Sequence, residues 1–132
     1  MRVKVPRLVV AGLSGDSGKT LVSLGIARAL TDRGVKVRPF KKGPDYIDTA
    51  WLGVAARSTC RNLDTFLMPD EAMAGSLATA ATDADLILVE GNRGLFDGVD
   101  VEGSHSTAML ARRLAAPILL VLDCTKTVSY TH

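Results

Sequence analysis

The run Gly12-Leu13-Ser14-Gly15-Asp16-Ser17-Gly18-Lys19-Thr20 constrains this chain more than any other feature. Residues 7–11 (RLVVA) precede it and read as a buried strand. After it, Leu21, Leu24, Ala27 and Arg28 recur at helical spacing, with Ile26 and Leu30 widening the stripe, until Gly34 stops the helix. A strand, a glycine loop and a helix in that order make an anion site. Glycines let backbone N–H groups turn inward as a nest, and the helix N-terminus adds partial positive charge. Gly12, Ser14, Gly15, Ser17 and Gly18 would line it, Lys19 would reach the outer phosphates, and the Thr20 hydroxyl would ligate Mg²⁺. The loop departs from G-x-x-x-x-G-K-[ST]. Leu13 stands where the first glycine belongs, and Gly12 lies one residue earlier.

The rest of the chain extends this unit. Val35, Val37 and Phe40 alternate with Lys36 and Arg38, which predicts a second strand. Residues 41–50 (KKGPDYIDTA) carry Gly-Pro and read as loop. A helix is expected over 70–82, a buried strand over 86–89 (LILV), a glycine-punctuated loop after it, a helix over 106–115 and a strand over 118–122. Continuous apolar strands alternating with helices indicate an α/β fold, a parallel sheet with helices on both faces. In such sheets ligands sit at the carboxyl ends of the strands. The loops at 12–18, 41–49 and 91–98 should therefore converge on one edge.

With 132 residues, 47% hydrophobic and 23% charged, the chain is an ordinary globular domain by composition. Sixteen basic and 14 acidic residues leave a net charge of +2, which argues against a nucleic-acid or membrane-surface partner. The aromatic fraction of 5% is too sparse for a base-stacking platform. Cys60 and Cys124 stand alone, without metal-ligand spacing, and read as reduced cytoplasmic thiols. No run approaches the length of a membrane span, and the apolar stretch from Leu8 to Leu13 is too short for a signal peptide.

Nucleotide phosphates call for Mg²⁺, which prefers carboxylate and water oxygens. Glu90 closes the strand LILV and is the expected metal-side acid. Asp45 and Asp48 are spaced to share one turn, and Asp97 lies in GLFDG, a turn signal. Lys41 and Lys42 are candidates to neutralise phosphoryl oxygens, one of them being only solvated. His105 reads as a cap or surface residue beside a helix start at Ser104 or Ser106. Trp51 and Phe66 read as packing residues, and Arg61-Asn62-Leu63-Asp64 is open between substrate, base and neither.

The segments AGLSGDSGKT, RPFKKGPDYIDTAW, RNLDTFLM, LVEGNRGLFDG and GSHSTAMLARRLAAPILLVLD, in that order, resemble the cobyrinic acid a,c-diamide synthase family. The lengthened phosphate loop is similar to the variant that family shares with dethiobiotin synthetases. The resemblance implies a P-loop synthetase domain using ATP and Mg²⁺, followed by a glutaminase domain that supplies ammonia from glutamine. The implied reaction phosphorylates an acetate carboxylate of a tetrapyrrole and converts the acyl phosphate to an amide. It also implies roles: Lys19 and Lys41 catalytic, Asp48 joining Thr20 and Glu90 at the metal, and Asp45, Tyr46 and Asp97 in handling the substrate and forming the intermediate. Lys41 matches the family lysine better than Lys42, whose position is often apolar in relatives.

Measured against that family, the glutaminase half is expected to be absent from this chain, and residues 1–127 are expected to be a synthetase domain cut short at its C-terminus. Residues 128–132 match a translation of a common transposase-adapter sequence and are expected to be a non-native tail. The isolated chain is expected to be inactive and poorly soluble, with the apolar strand 118–122 at an exposed edge. A homodimer is compatible with the reading. Other readings are a sibling amidase acting on hydrogenobyrinic acid or a nickel sirohydrochlorin, and a partner-regulating P-loop ATPase. The latter usually has a lysine early in the loop, where this chain has GLSG. A dethiobiotin synthetase should lack GPDYID and GLFDG.

Overall fold

The computed structural model describes residues 4–15 and 17–125; Asp16 and the expected tail at 128–132 lie outside the described residues. Strands β1 (Arg7–Gly12), β2 (Val37–Lys42), β3 (Arg61–Leu63), β4 (Leu86–Gly94) and β5 (Ile118–Val121) alternate with helices α1 (Lys19–Asp32), α2 (Ile47–Ala56), α3 (Asp70–Ala81) and α4 (Thr107–Leu114). The strands form one sheet in the order β3-β2-β4-β1-β5, and each neighbouring pair runs parallel. The predicted α/β architecture is therefore present.

Strand residues point alternately to the two faces, so the core divides in two. On one face Val9, Phe40, Leu63, Ile87 and Val89 pack with Met73, Leu77 and Ala80 of α3 and Leu110, Ala111 and Leu114 of α4. On the other, Val10, Val37 and Leu88 pack with Ala27 of α1 and Ala56 of α2. Each fully buried Leu, Ile, Val or Phe contributes about 1.5–3 kcal/mol. Local signals agree at the helix ends. Asp70 and Glu71 occupy the first turn of α3, and Ser106 caps α4 by accepting the Met109 N–H at 3.2 Å.

Several sequence expectations need correction. Residues 41–50 are not all loop, because β2 continues through Lys42 and α2 begins at Ile47. No polar stripe marks α2: Ile47, Trp51 and Val54 are exposed while Leu52 is buried, so both sides of the helix are apolar. Strand β3 is only three residues long, too short to show a period. In α1 the buried residues are Ser23 and Ala27, whereas Leu21 is 76% exposed. Ser23 is accommodated because its hydroxyl donates to the Lys19 carbonyl at 2.8 Å. Strand β4 runs past Val89 to Gly94, with a register irregularity where Val10 pairs Glu90 and Gly12 pairs Gly94.

Candidate functional site

The glycine loop joins β1 to α1 at the carboxyl edge of the sheet. A Cβ on Gly12 would fall 1.9 Å from Ser17 Oγ, so only glycine lets Ser17 fold into the loop. Ser17 is buried, and its hydroxyl has no hydrogen-bond partner among the described residues. Gly18 caps α1 with φ +86°, a left-handed conformation that favours glycine. No acidic residue occupies the first turn of α1, and no side chain caps it. The backbone N–H groups and dipole of that helix end remain available to an anion. Ser14 is exposed and donates to the adjacent Gly15 carbonyl at 3.3 Å.

A charged cluster lies beside this helix end. Lys41 is 2% exposed and Glu90 fully buried. The Lys41 ammonium donates to the Gly91 carbonyl at 2.9 Å and lies 3.2 Å from both Glu90 Oε2 and Asp48 Oδ2. The Glu90 contact is an ion pair without hydrogen-bond geometry, which leaves both of its oxygens without a hydrogen-bond donor among the described residues. Thr20 donates to Asp48 Oδ2 at 3.5 Å, which links the cluster to the glycine loop. Thr20, Lys41, Asp48 and Glu90, four residues separately singled out from the sequence, thus meet from α1, β2, α2 and β4. Two carboxylates and a hydroxyl next to an anion site suit a hard cation.

The remaining candidates are placed differently. Asp45 Oδ1 accepts the Asp48 N–H at 2.8 Å, starting α2 as an Asx cap, so the two aspartates do share one turn. Tyr46 is 86% exposed. Asp97 is exposed; its Oδ2 accepts the Gly94 N–H at 2.9 Å and closes a tight turn. That turn abuts the glycine loop: a Cβ on Gly94 would lie 2.7 Å from the Leu13 carbonyl. Neither Lys41 nor Lys42 is merely solvated, since Lys42 is also buried. Trp51 and Phe66 are both exposed, and Phe66 packs edge-on against the His105 ring. His105 Nδ1 pairs with Thr65 Oγ1 at 2.7 Å, beside the cap residue Ser106.

Three supporting groups escaped the sequence reading. Asn62 donates to the carbonyls of Gly43 (2.6 Å) and Asp45 (3.1 Å), bracing the loop ahead of α2. Thr107 Oγ1 accepts the Asn92 N–H at 3.1 Å, tying α4 to the end of β4. The Gly91 carbonyl holds Lys41. These are contacts between distant segments, 15 to 50 residues apart, and periodicity carries no trace of them.

Among the described residues no helix is long and apolar enough to cross a membrane. Residues 8–122 match the family model "CobQ/CobB/MinD/ParA nucleotide binding domain". The chain is 50% identical over 124 residues to the cobyrinate a,c-diamide synthase of Magnetococcus marinus, covering 94% of this chain and 27% of that protein. It is 48% identical over 119 residues to the enzyme of that name from Syntrophotalea carbinolica, covering 89% of this chain and 26% of that protein. The like-named enzyme of Thermoplasma volcanium is 41% identical over 121 residues, with 92% and 27% covered. The chain thus spans about a quarter of the length of these relatives. With a parallel sheet, a glycine loop capped by Gly18 and a match over residues 8–122, this chain belongs to the CobQ/CobB/MinD/ParA nucleotide-binding domain family of P-loop proteins.

Proposed function

We propose that the chain is the nucleotide-binding part of a cytoplasmic, ATP-dependent ligase that converts the a- and c-acetate carboxylates of cobyrinate to amides. The observation that carries this reading is the Lys41 ammonium held against Glu90, Asp48 and Gly91 beside Thr20 and the glycine loop. The names of relatives up to 50% identical support the substrate.

The residues fit a magnesium nucleotide. Ser17 has an unused buried hydroxyl, Glu90 has two buried oxygens without donors, and α1 presents an uncapped N-terminus. Gly12, Ser14, Gly15, Ser17, Gly18 and Lys19 would hold the phosphates, and Thr20, Asp48 and Glu90 the metal. Mg²⁺ would supply charge neutralisation at the phosphoryl oxygens. A carboxylate approaching a phosphoryl group meets like charge, and Lys19 and Lys41 offset that repulsion. Lys41 is the better oriented of the two, because its carbonyl and carboxylate partners fix the ammonium. Asp45 and Asn62 would hold the loop against which the substrate carboxylate is oriented, and Tyr46 and Asp97 would contact the substrate from its rim. Transfer of the terminal phosphoryl group to a carboxylate oxygen gives an acyl phosphate and ADP. Ammonia then attacks the carbonyl carbon and phosphate leaves. In the longer protein a glutaminase domain would release that ammonia from glutamine.

The test uses the full-length protein with ATP, Mg²⁺, glutamine and cobyrinate, following amides by mass. Stepwise formation of a mono- and then a diamide is expected, abolished by Lys19→Ala. Absence of amidation together with protein-stimulated ATP hydrolysis would overturn the reading in favour of a partner-regulating ATPase.

A further inference from the structure

Lys41 and Lys42 are consecutive strand residues, so their side chains leave opposite faces of the sheet. Lys41 shares a face with Val37, toward α1 and α2, whereas Lys42 shares a face with Phe40, toward α3 and α4. Lys42 lines a cavity of about 140 Å³ at the carboxyl ends of β2, β3 and β4, together with Asp64, Arg93, Asp97 and His105. The cavity lies across the β2 backbone from the Lys41 cluster.

Lys42 is only 8% exposed, yet its ammonium has no hydrogen bond or ion pair within the described residues. The stem is enclosed while the ammonium opens on the cavity, where solvent offsets its charge. Neither acid of the wall pairs directly with it. Asp64 Oδ1 accepts the N–H groups of Phe66 (2.9 Å) and Leu67 (3.4 Å), and Asp97 Oδ2 accepts that of Gly94 (2.9 Å). Burial pushes the Lys42 pKa down, Arg93 and Lys41 push it further, and Asp64 opposes them without prevailing. The walls are also held in place. Arg93 and His105 sit at φ +55° and +63°, and His105 is pinned by Thr65 and by an edge contact with Phe66, centroids 5.5 Å apart. Two cationic and two acidic side chains line the cavity, and the Lys42 ammonium pairs directly with neither acid.

We propose that the cavity is a carboxylate subsite, in which the Lys42 ammonium anchors an acidic arm of the substrate other than the one being activated. The proposal rests on the polycarboxylate substrate of the preceding section. A substrate straddling the sheet edge would present one carboxylate to the Lys41 cluster and a second to Lys42. Lys42 then sets which carboxylates can reach the phosphate loop. A nucleotide phosphate offers the same oxyanion chemistry, and the test separates the two sources.

In the full-length protein, cobyrinate binding without nucleotide is measured for wild type, Lys42→Met and Lys42→Arg. Loss of a charge-assisted contact should weaken Lys42→Met by about tenfold or more, with Lys42→Arg within about threefold of wild type and ATP affinity unchanged. Unchanged cobyrinate affinity in Lys42→Met, or weakened ATP binding instead, overturns the proposal. A second readout needs no variant: the rate of reductive methylation of Lys42 in the wild-type protein, read by peptide mass, with cobyrinate, tricarballylate or ATP. Slowing by either polycarboxylate supports the subsite. Slowing by tricarballylate in a protein that does not bind cobyrinate leaves the subsite standing while the substrate assignment falls. Slowing by neither, or by ATP alone, overturns the subsite.

Discussion

Lys41 and Glu90 form the buried pair on which the site is built, and a pair of this kind is more sensitive to losing one member than to losing both. Lys41→Met strands the Glu90 carboxylate and should cost about 3–5 kcal/mol. Lys41→Met with Glu90→Leu should recover most of that. Urea unfolding of the two variants checks both expectations, and a double variant as unstable as the single one would contradict them. Cys60 offers a second check. Burial, with the Glu90 charge next, pushes its thiol up to about 12 from 9.0. The folded thiol therefore stays protonated where the unfolded one ionises, so its contribution makes the fold less stable as pH climbs from 9.0 toward 12. At pH 8 maleimide should label exposed Cys124 well ahead of Cys60, as peptide mass can show. At this scale the sequence was informative for chemistry. GKT, VEG and KKGPDYID marked Thr20, Glu90, Lys41 and Asp48 before any geometry. Burial was not legible: one of the two lysines was expected in solvent, and both are inside, because β2 runs two residues further than its apolar alternation suggests.

At the scale of elements, α2 is the informative miss. Its solvent face carries Ile47, Trp51 and Val54, so no polar stripe distinguishes it from its buried face. What starts it is local: Asp45 accepts the Asp48 N–H, and Asn62 from β3 holds the carbonyl of Asp45. Asp45→Ala should cost about 1 kcal/mol through the lost cap, whereas Asp45→Asn, an equally good cap, should not. If Asp45 also handles substrate, as proposed, Asp45→Asn keeps its melting temperature and loses amidation in the full-length protein. Full activity in Asp45→Asn would confine the residue to capping. α3 and α4, by contrast, were readable within a residue of their ends, because Pro69, Asp70, Glu71 and Ser106 are local signals at their N-termini.

For the whole molecule, the order β3-β2-β4-β1-β5 sets β4 between β2 and β1, so that Lys41, Glu90 and the glycine loop meet along adjacent strands. β5 pairs with β1, and Ile118, Leu119 and Leu120 remain 39–40% exposed beside it. An apolar edge of this kind templates association, so the 132-residue chain should self-associate, and Leu119→Lys should raise its monomer fraction in sedimentation velocity. A chain already monomeric without that change would contradict the expectation. The alternation of strands and helices made the sheet predictable, but the meeting of four residues from four elements depends on strand order, which periodicity does not encode. The central claim, that this assembly activates a carboxylate by phosphoryl transfer, is tested most directly by an isotope. Full-length protein is given ATP, glutamine and cobyrinate labelled with ¹⁸O in its carboxylates. The account predicts one ¹⁸O in the released phosphate for each amide formed; amide formed with unlabelled phosphate would contradict it.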